Sequence, residues 1–133
     1  MKIYVASKFE NTKRVKELYS LLQVAGHEIT HDWTGENAEG MTSKRRYDYL
    51  RSCAEKDFYG VLRADAIVLI NHERGCGMFT ELGIALASNK IVIVVDGFHD
   101  DKPLNIFFHL AQVKHVDDLE EVLDILRTLE PRS

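Results

Sequence analysis

The sequence predicts an α/β domain built on a parallel sheet, and three observations carry that reading. Two short β-branched runs, Ala66-Ile67-Val68-Leu69-Ile70 and Ile91-Val92-Ile93-Val94-Val95, have the length and continuous apolar character of strands buried on both faces. Between them lies the stretch Gly75-Cys76-Gly77-Met78-Phe79-Thr80-Glu81-Leu82-Gly83-Ile84-Ala85, which reads as a turn followed by a helix. A helix joining two neighbouring strands is the ordinary right-handed crossover of a parallel sheet.

The remaining elements fall into the same alternation. Residues 2–6 form a first strand, and residues 9–25 carry Val15, Leu18, Leu21 and Leu22 at helical spacing, with Gly26 to stop the helix. Asn11 or Thr12 is placed to cap it. Residues 27–31 predict a weaker second strand. Residues 32–41, with two glycines and Trp33, show no periodicity and predict a loop over one end of the sheet. A loop of that length in a compact domain is often a lid or binding loop.

Thr42 or Ser43 can cap a long helix through Tyr47, Leu50, Cys53, Ala54 and Phe58, ending near Ala64. The central strand, the glycine turn, a helix to about Ser88 and a strand over residues 90–96 follow. Residues 97–103 predict a polar loop, 105–111 an ambiguous apolar piece, 113–116 a last strand and 117–129 an amphipathic closing helix. The tail 130–133 is expected to fray. With no linker or repeat, residues 1–133 are one domain. The expected architecture is a flavodoxin-like three-layer sandwich, with five parallel strands in order 2-1-3-4-5 and helices on both faces.

Composition narrows the function. Seventeen Lys and Arg against 21 Asp and Glu give a formal charge of −4 without a basic run, which disfavours nucleic acid as a partner. No apolar stretch reaches the ~18 residues that span a bilayer, and Met1-Lys2 leads directly into a strand, so neither a membrane span nor a signal peptide is expected. The two cysteines, Cys53 and Cys76, lie in unlike contexts and make a poor disulfide framework, which points to a reducing cytoplasm.

Candidate chemistry concentrates where the fold brings polar groups together. Glu81 is expected in the first turn of its helix among apolar neighbours, partly buried and kept ionised by the helix N-terminus. A solvated first-turn glutamate is the plain alternative. Tyr4 lies on the first strand, Asp57 toward the end of the long helix, and Asn105 beyond the fourth strand; all are expected near the carboxyl edge of the sheet. Singly, these read as sheet packing, a solvated helix residue and a turn former. Jointly, two carboxylates of different exposure suit a nucleophile and a general acid.

Other patterns carry less. His27 and His31 share a four-residue spacing, but in a strand that separates them by ~13 Å, too far for one metal ion. Gly75 and Gly77 match neither a P-loop nor a dinucleotide fingerprint. Cys76 has no assigned base beside it, and the acidic cluster at Asp117, Asp118, Glu120 and Glu121 complements a helix N-terminus.

Several segments resemble the nucleoside 2-deoxyribosyltransferase-like proteins, which include transferases and 2′-deoxynucleoside 5′-monophosphate N-glycosidases. They are Lys2-Ile3-Tyr4-Val5-Ala6, Asp57-Phe58-Tyr59-Gly60-Val61, Ala64-Asp65-Ala66, Gly77-x-x-x-Glu81-Leu82-Gly83-Ile84-Ala85 and Lys102-Pro103-Leu104-Asn105. The resemblance covers most of the chain. It implies cleavage of an N-glycosidic bond in a nucleoside or nucleotide through a covalent glycosyl–glutamate intermediate, with transfer to a second base or to water.

On the matching positions, the resemblance makes Glu81 the nucleophile, Tyr4 its orienting partner and Asp57 the group that manages the proton of the base. Asn105 would serve a neighbouring subunit's site, which implies a homo-oligomer. Ser7 and Lys8, with Arg14 nearby, fall where the monophosphate enzymes bind phosphate. No metal or cofactor is implied. Gly75, which with Gly77 is placed in the substrate site, departs from the pattern, because the family commonly carries Asp or Ser there, and Glu73 and Arg74 stand just upstream.

Three other readings stay open: a nucleotide-binding or sensing domain without turnover, a signalling module in which Asp65 or Asp96 is the key acid, and a TIR-like NAD glycohydrolase. Released base from deoxynucleosides, deoxynucleotides and NAD separates them.

Overall fold

The protein is described from a computed structural model covering residues 1–71, 75–96 and 105–130. Glu73, Arg74, the loop expected over residues 97–103, including Lys102 and Pro103, and the tail beyond Glu130 lie outside the described residues.

Five parallel strands form one sheet: β1 (Lys2–Ser7), β2 (Glu28–Ile29), β3 (Ala66–Ile70), β4 (Ile91–Val95) and β5 (Val113–Val116), in the order β2-β1-β3-β4-β5. The helices are α1 (Thr12–Val24), α2 (Ser43–Arg63), α3 (Cys76–Ala87) and α4 (Leu119–Leu129). α1 packs with α4 and α2 with α3, which gives the three layers expected of the flavodoxin-like arrangement. Among the described residues, no helix is long and apolar enough to cross a membrane.

Burial explains the strand assignments. Every residue of β3 is buried, as a central strand covered on both faces requires, and β1 is buried from Ile3 to Ala6. β2 is shorter than the sequence predicts, two residues rather than five. It lies at the sheet edge, where only Lys2 and Ile3 are register partners, so there is little to hold a longer ladder. The ambiguous segment after residue 104 becomes a 3-10 turn, Ile106–His109, not a strand.

Two helix starts also differ from expectation. Asn11 stands at the N-cap of α1, but its amide donates to Ser7 Oγ at 3.0 Å instead of capping. Thr42 caps α2 by backbone conformation alone. At the other end of α1, Gly26 adopts φ +91°, which lets His27 N–H bond back to Leu22 and turns the chain toward β2.

Candidate active site

The site is built on the face of the sheet covered by α2 and α3. Tyr4 points out of the middle of β1 and is fully buried. Gly60, in the last turns of α2, allows the helix to close on it. A Cβ at Gly60 would stand 3.0 Å from the Tyr4 ring and 3.0 Å from His31 Cβ. Asp57 lies three residues earlier on the same helix face and is carried toward the sheet by that approach. Thr30 Oγ1 donates to the Gly60 carbonyl at 2.7 Å, which fastens the end of β2 to the same turn.

Glu81 completes the arrangement, though not from the first turn of its helix. α3 starts at Cys76 with Gly75 as its N-cap, so Glu81 is the sixth helical residue, about 8 Å along the axis. The expected stabilisation by the helix N-terminus falls off within the first turn and does not reach it. Instead its carboxylate Oε2 accepts a hydrogen bond from the Tyr4 hydroxyl. The constellation therefore sits below the carboxyl edge, between α2 and α3. A cavity of about 620 Å³ opens onto Asp57 and Glu81 there, walled by Phe58, Tyr59, Thr80 and Ile84, with Gly77 at its margin. That volume is in the range of small-molecule sites.

Burial sets the electrostatics. It raises the Glu81 carboxyl to about 8; the Tyr4 hydrogen bond opposes the shift, and the charges of Asp57 and Glu36 add to it. Asp57 is raised to about 7, first by burial and then by the charge and hydrogen bonding of Glu36. The Tyr4 hydroxyl is held well above its ordinary range by burial and by Glu81, so it acts as a donor. The sequence reading had Glu81 ionised and Asp57 raised. Burial raises Asp57 as expected, whereas Glu81, also expected to be partly buried, lies beyond the helix N-terminus that was to keep it ionised, so its burial prevails.

The other sequence-derived residues divide. Ser7 ends β1 and donates from Oγ to the Ile70 carbonyl at 2.9 Å, tying β1 to β3 at the carboxyl edge. Lys8 passes close to Gly75: a Cβ added there would meet Lys8 Cβ at 3.6 Å and Met78 Cβ at 3.5 Å, ordinary contacts. Gly75 and Gly77 have no positive φ, so neither is demanded by the backbone. Arg14 is committed to Asp96, with Nη1 2.5 Å from Oδ2. Asn105 caps the 3-10 turn, accepting from Phe107 N–H at 2.9 Å. It lines a separate apolar groove with Phe79, Leu86, Phe107 and Leu110, not the cavity of Asp57 and Glu81.

Two residues beside Asp57 have no role in the sequence reading: Glu36 is not singled out there, and His31 is weighed only as a metal ligand with His27. His31 Nε2 stands 3.4 Å from Asp57 Oδ1 and 3.3 Å from Glu36 Oε2. His27 serves the opposite end of the sheet, where its Nδ1 lies 3.0 Å from the N-terminal amine and 3.7 Å from Glu130. The two histidines thus share no site. The available signal was the aperiodic loop after β2, which a parallel sheet delivers to its carboxyl side.

Asp65 precedes β3 at the amino edge and accepts from Lys2 N–H at 2.8 Å, the wrong end of the sheet for a receiver-type phosphoacceptor.

With this geometry in place, known proteins can be compared. No protein-family model matches the chain, and neither does any curated protein. Solved structures do. A CMP N-glycosidase of Clostridium botulinum, BcmB, superposes with a TM-score of 0.65 at 17% identity, covering 96% of this chain and 99% of that one. A 2-deoxyribosyltransferase of the psychrotolerant bacterium Bacillus psychrosaccharolyticus superposes with a TM-score of 0.65 at 21% identity, covering 92% and 90%. The chain has their fold. Coverage of nearly the whole of both partners extends that likeness to the complete five-stranded domain.

Proposed function

We propose that the chain is an enzyme of the nucleoside 2-deoxyribosyltransferase-like family that cleaves the N-glycosidic bond of a nucleoside or nucleotide. The observation that carries this reading is the Tyr4 hydroxyl donating to Glu81, which lines one cavity together with Asp57. The fold shared with two enzymes named for such substrates supports it.

In this reading the ionised Glu81 attacks the anomeric carbon, and the C–N bond breaks with its electron pair going to the base. Asp57 supplies the proton that makes the base a better leaving group. Tyr4 holds one Glu81 oxygen and so directs the other at the sugar. The carboxylate also offsets the positive charge that develops on the ring in an oxocarbenium-like transition state. The resulting glycosyl ester passes its sugar to a second base or to water. Gly75 supplies no side chain to hold a base, which favours the entry of water and appreciable hydrolysis.

A carboxylate packed beneath the ring leaves a 2′-hydroxyl little room, so 2′-deoxy substrates are expected to be preferred. The test is a panel of nucleosides and 5′-monophosphates, each in ribo and deoxy form, together with NAD, read for released base by chromatography. Cleavage of a deoxynucleoside or deoxynucleotide, lost in Glu81→Ala, is the expected result. Binding without release would make the chain a sensing domain, and release from NAD alone would make it an NAD glycohydrolase. Comparing each nucleoside with its monophosphate shows whether Lys8 holds a phosphate.

A further inference from the structure

The reaction above uses Tyr4, Asp57 and Glu81 and leaves His31 and Glu36 unexplained. Their placement is constructed by the segment between β2 and α2. Trp33 is buried, and its Nε1–H donates to the Val5 carbonyl at 2.6 Å, pinning the segment to β1. Asp32 accepts from Thr34 N–H at 2.9 Å, and Glu36 N–H donates to the Trp33 carbonyl at 2.9 Å, which closes the turn. Asn37 N–H then donates to Tyr49 Oη at 2.9 Å, fastening the far side to α2. Glu36 is therefore held on both flanks where its carboxylate meets His31 and faces Asp57. One ligand-type atom from each of His31, Glu36 and Asp57 lies within 4.8 Å of the other two.

These side chains are mostly shielded, with 19% of His31, 22% of Glu36 and 30% of Asp57 exposed. Two carboxylates that close, away from bulk water, do not both ionise readily, and the pair keeps a proton that isolated acids would lose. We propose that Glu36 and His31 are positioning residues that maintain one shared proton at Asp57, so that Asp57 meets the substrate as an acid. The proposal rests on the reading of Asp57 as proton donor. Glu36 supplies the negative charge that keeps the proton, and His31 Nε2 is hydrogen-bonded to Glu36 Oε2 at 3.3 Å while lying 3.4 Å from Asp57 Oδ1, a buried oxygen without a hydrogen-bond partner among the described residues. When the C–N bond breaks, the Asp57 proton passes to the base nitrogen. When water later opens the Glu81 ester, the proton that water releases returns to the Asp57–Glu36 pair.

Among the described residues, the other groups that feel the charge of Asp57 are Glu81 on α3, Tyr4 on β1, Tyr19 on α1 and Cys53 on its own helix. Arg51 lines the same cavity but is turned to Glu55, with Nε 3.2 Å from Oε1. Glu36, and none of these, is the group whose charge raises Asp57 after burial itself.

The deciding experiment titrates Asp57 by carboxyl ¹³C NMR in substrate-free wild type, Glu36→Gln and His31→Gln, with Asp57→Asn to assign the resonance. Wild-type Asp57 is expected to titrate near neutrality, at about 7. In Glu36→Gln it should fall by a unit or more, and kcat/KM on unactivated bases should fall about tenfold for each unit, because fewer molecules hold the proton. The loss should be smaller on a p-nitrophenyl deoxyriboside, whose leaving group needs no proton. His31→Gln, which keeps a donor near the same place, should shift Asp57 less.

An ordinary aspartate titration in wild type, or an unchanged one in Glu36→Gln, overturns the proposal. So does a stoichiometric divalent cation whose removal by EDTA moves the titration, since the cluster would then be a metal site. The NMR result stands whether or not any substrate turns over, so failure of the enzymatic reading is seen separately in the substrate panel.

Discussion

Glu81 and Asp57 set the behaviour of the site at the scale of single residues. The proposed reaction needs Glu81 ionised and Asp57 protonated, yet Glu81 is raised to about 8 and Asp57 to about 7. The productive form is therefore a minority state, most populated between those two values. kcat/KM should peak there and fall about tenfold per pH unit on either side, which a pH–rate profile checks directly. The same burial carries a stability cost. A carboxyl whose folded pKa exceeds its unfolded one loses stability as pH rises from the ordinary carboxylate range through the folded value. Glu81→Gln should thus gain thermal stability over wild type on the order of 1–2 kcal/mol at pH 9, shrinking toward nothing near pH 4. Thermal melts across that range test it, and a gain independent of pH would contradict the assignment. Asp57→Asn should lower cleavage of substrates whose base needs a proton more than it lowers their binding. An equal loss on an activated leaving group would count against the acid role. That Tyr4, Asp57 and Glu81 could meet was legible because the alternation of strands and helices places their elements side by side, while the role of each rests on the family resemblance alone. The meeting of His31 and Glu36 was not legible, since it depends on a turn held by Trp33 and Tyr49, long-range contacts that no local pattern encodes.

At the scale of elements, the approach of α2 to β1 decides whether those side chains converge. Gly60 is the contact point, and an added methyl would meet both the Tyr4 ring and His31 Cβ at 3.0 Å. Gly60→Ala should push α2 outward, destabilising the fold by about 1–3 kcal/mol. It should also lower kcat more than a surface substitution of equal stability cost. Gly77→Ala meets no atom within 4 Å and should leave stability nearly unchanged, so the pair separates packing from helix propensity. The sequence contained Gly60 only as one letter of a motif, because a close approach between two elements is a tertiary fact. The start of α3 was misplaced for a related reason. The glycines suggested a turn reaching past Gly77, while the helix already begins at Cys76, which moves Glu81 beyond the dipole.

The whole molecule follows the alternation of apolar runs closely. The order β2-β1-β3-β4-β5 was readable because parallel strands joined by helices have few handed solutions, and the short edge strand was overestimated because little pairs with it. What the cavity of Glu81 does not contain is equally informative. Asn105 lines an apolar groove on the far side of α3, edged by Phe107 and Leu110, both more than two-fifths exposed, and not the cavity of its own Glu81. If Asn105 serves a neighbouring subunit, mixing inactive Glu81→Ala and Asn105→Ala chains should restore activity, because some sites then hold both intact groups. No recovery in oligomers verified to be mixed would remove that role.

Covalent capture by Glu81 is the central claim, and trapping reaches it most directly. A 2-fluoro-2-deoxyarabinosyl nucleoside forms the ester but slows its opening, so intact-mass and peptide spectrometry can find the sugar. The account predicts one sugar mass per chain, on the peptide containing Glu81, absent in Glu81→Ala and accompanied by a turnover loss of several orders of magnitude in that variant. An adduct on another residue, or near-normal turnover without Glu81, would contradict it.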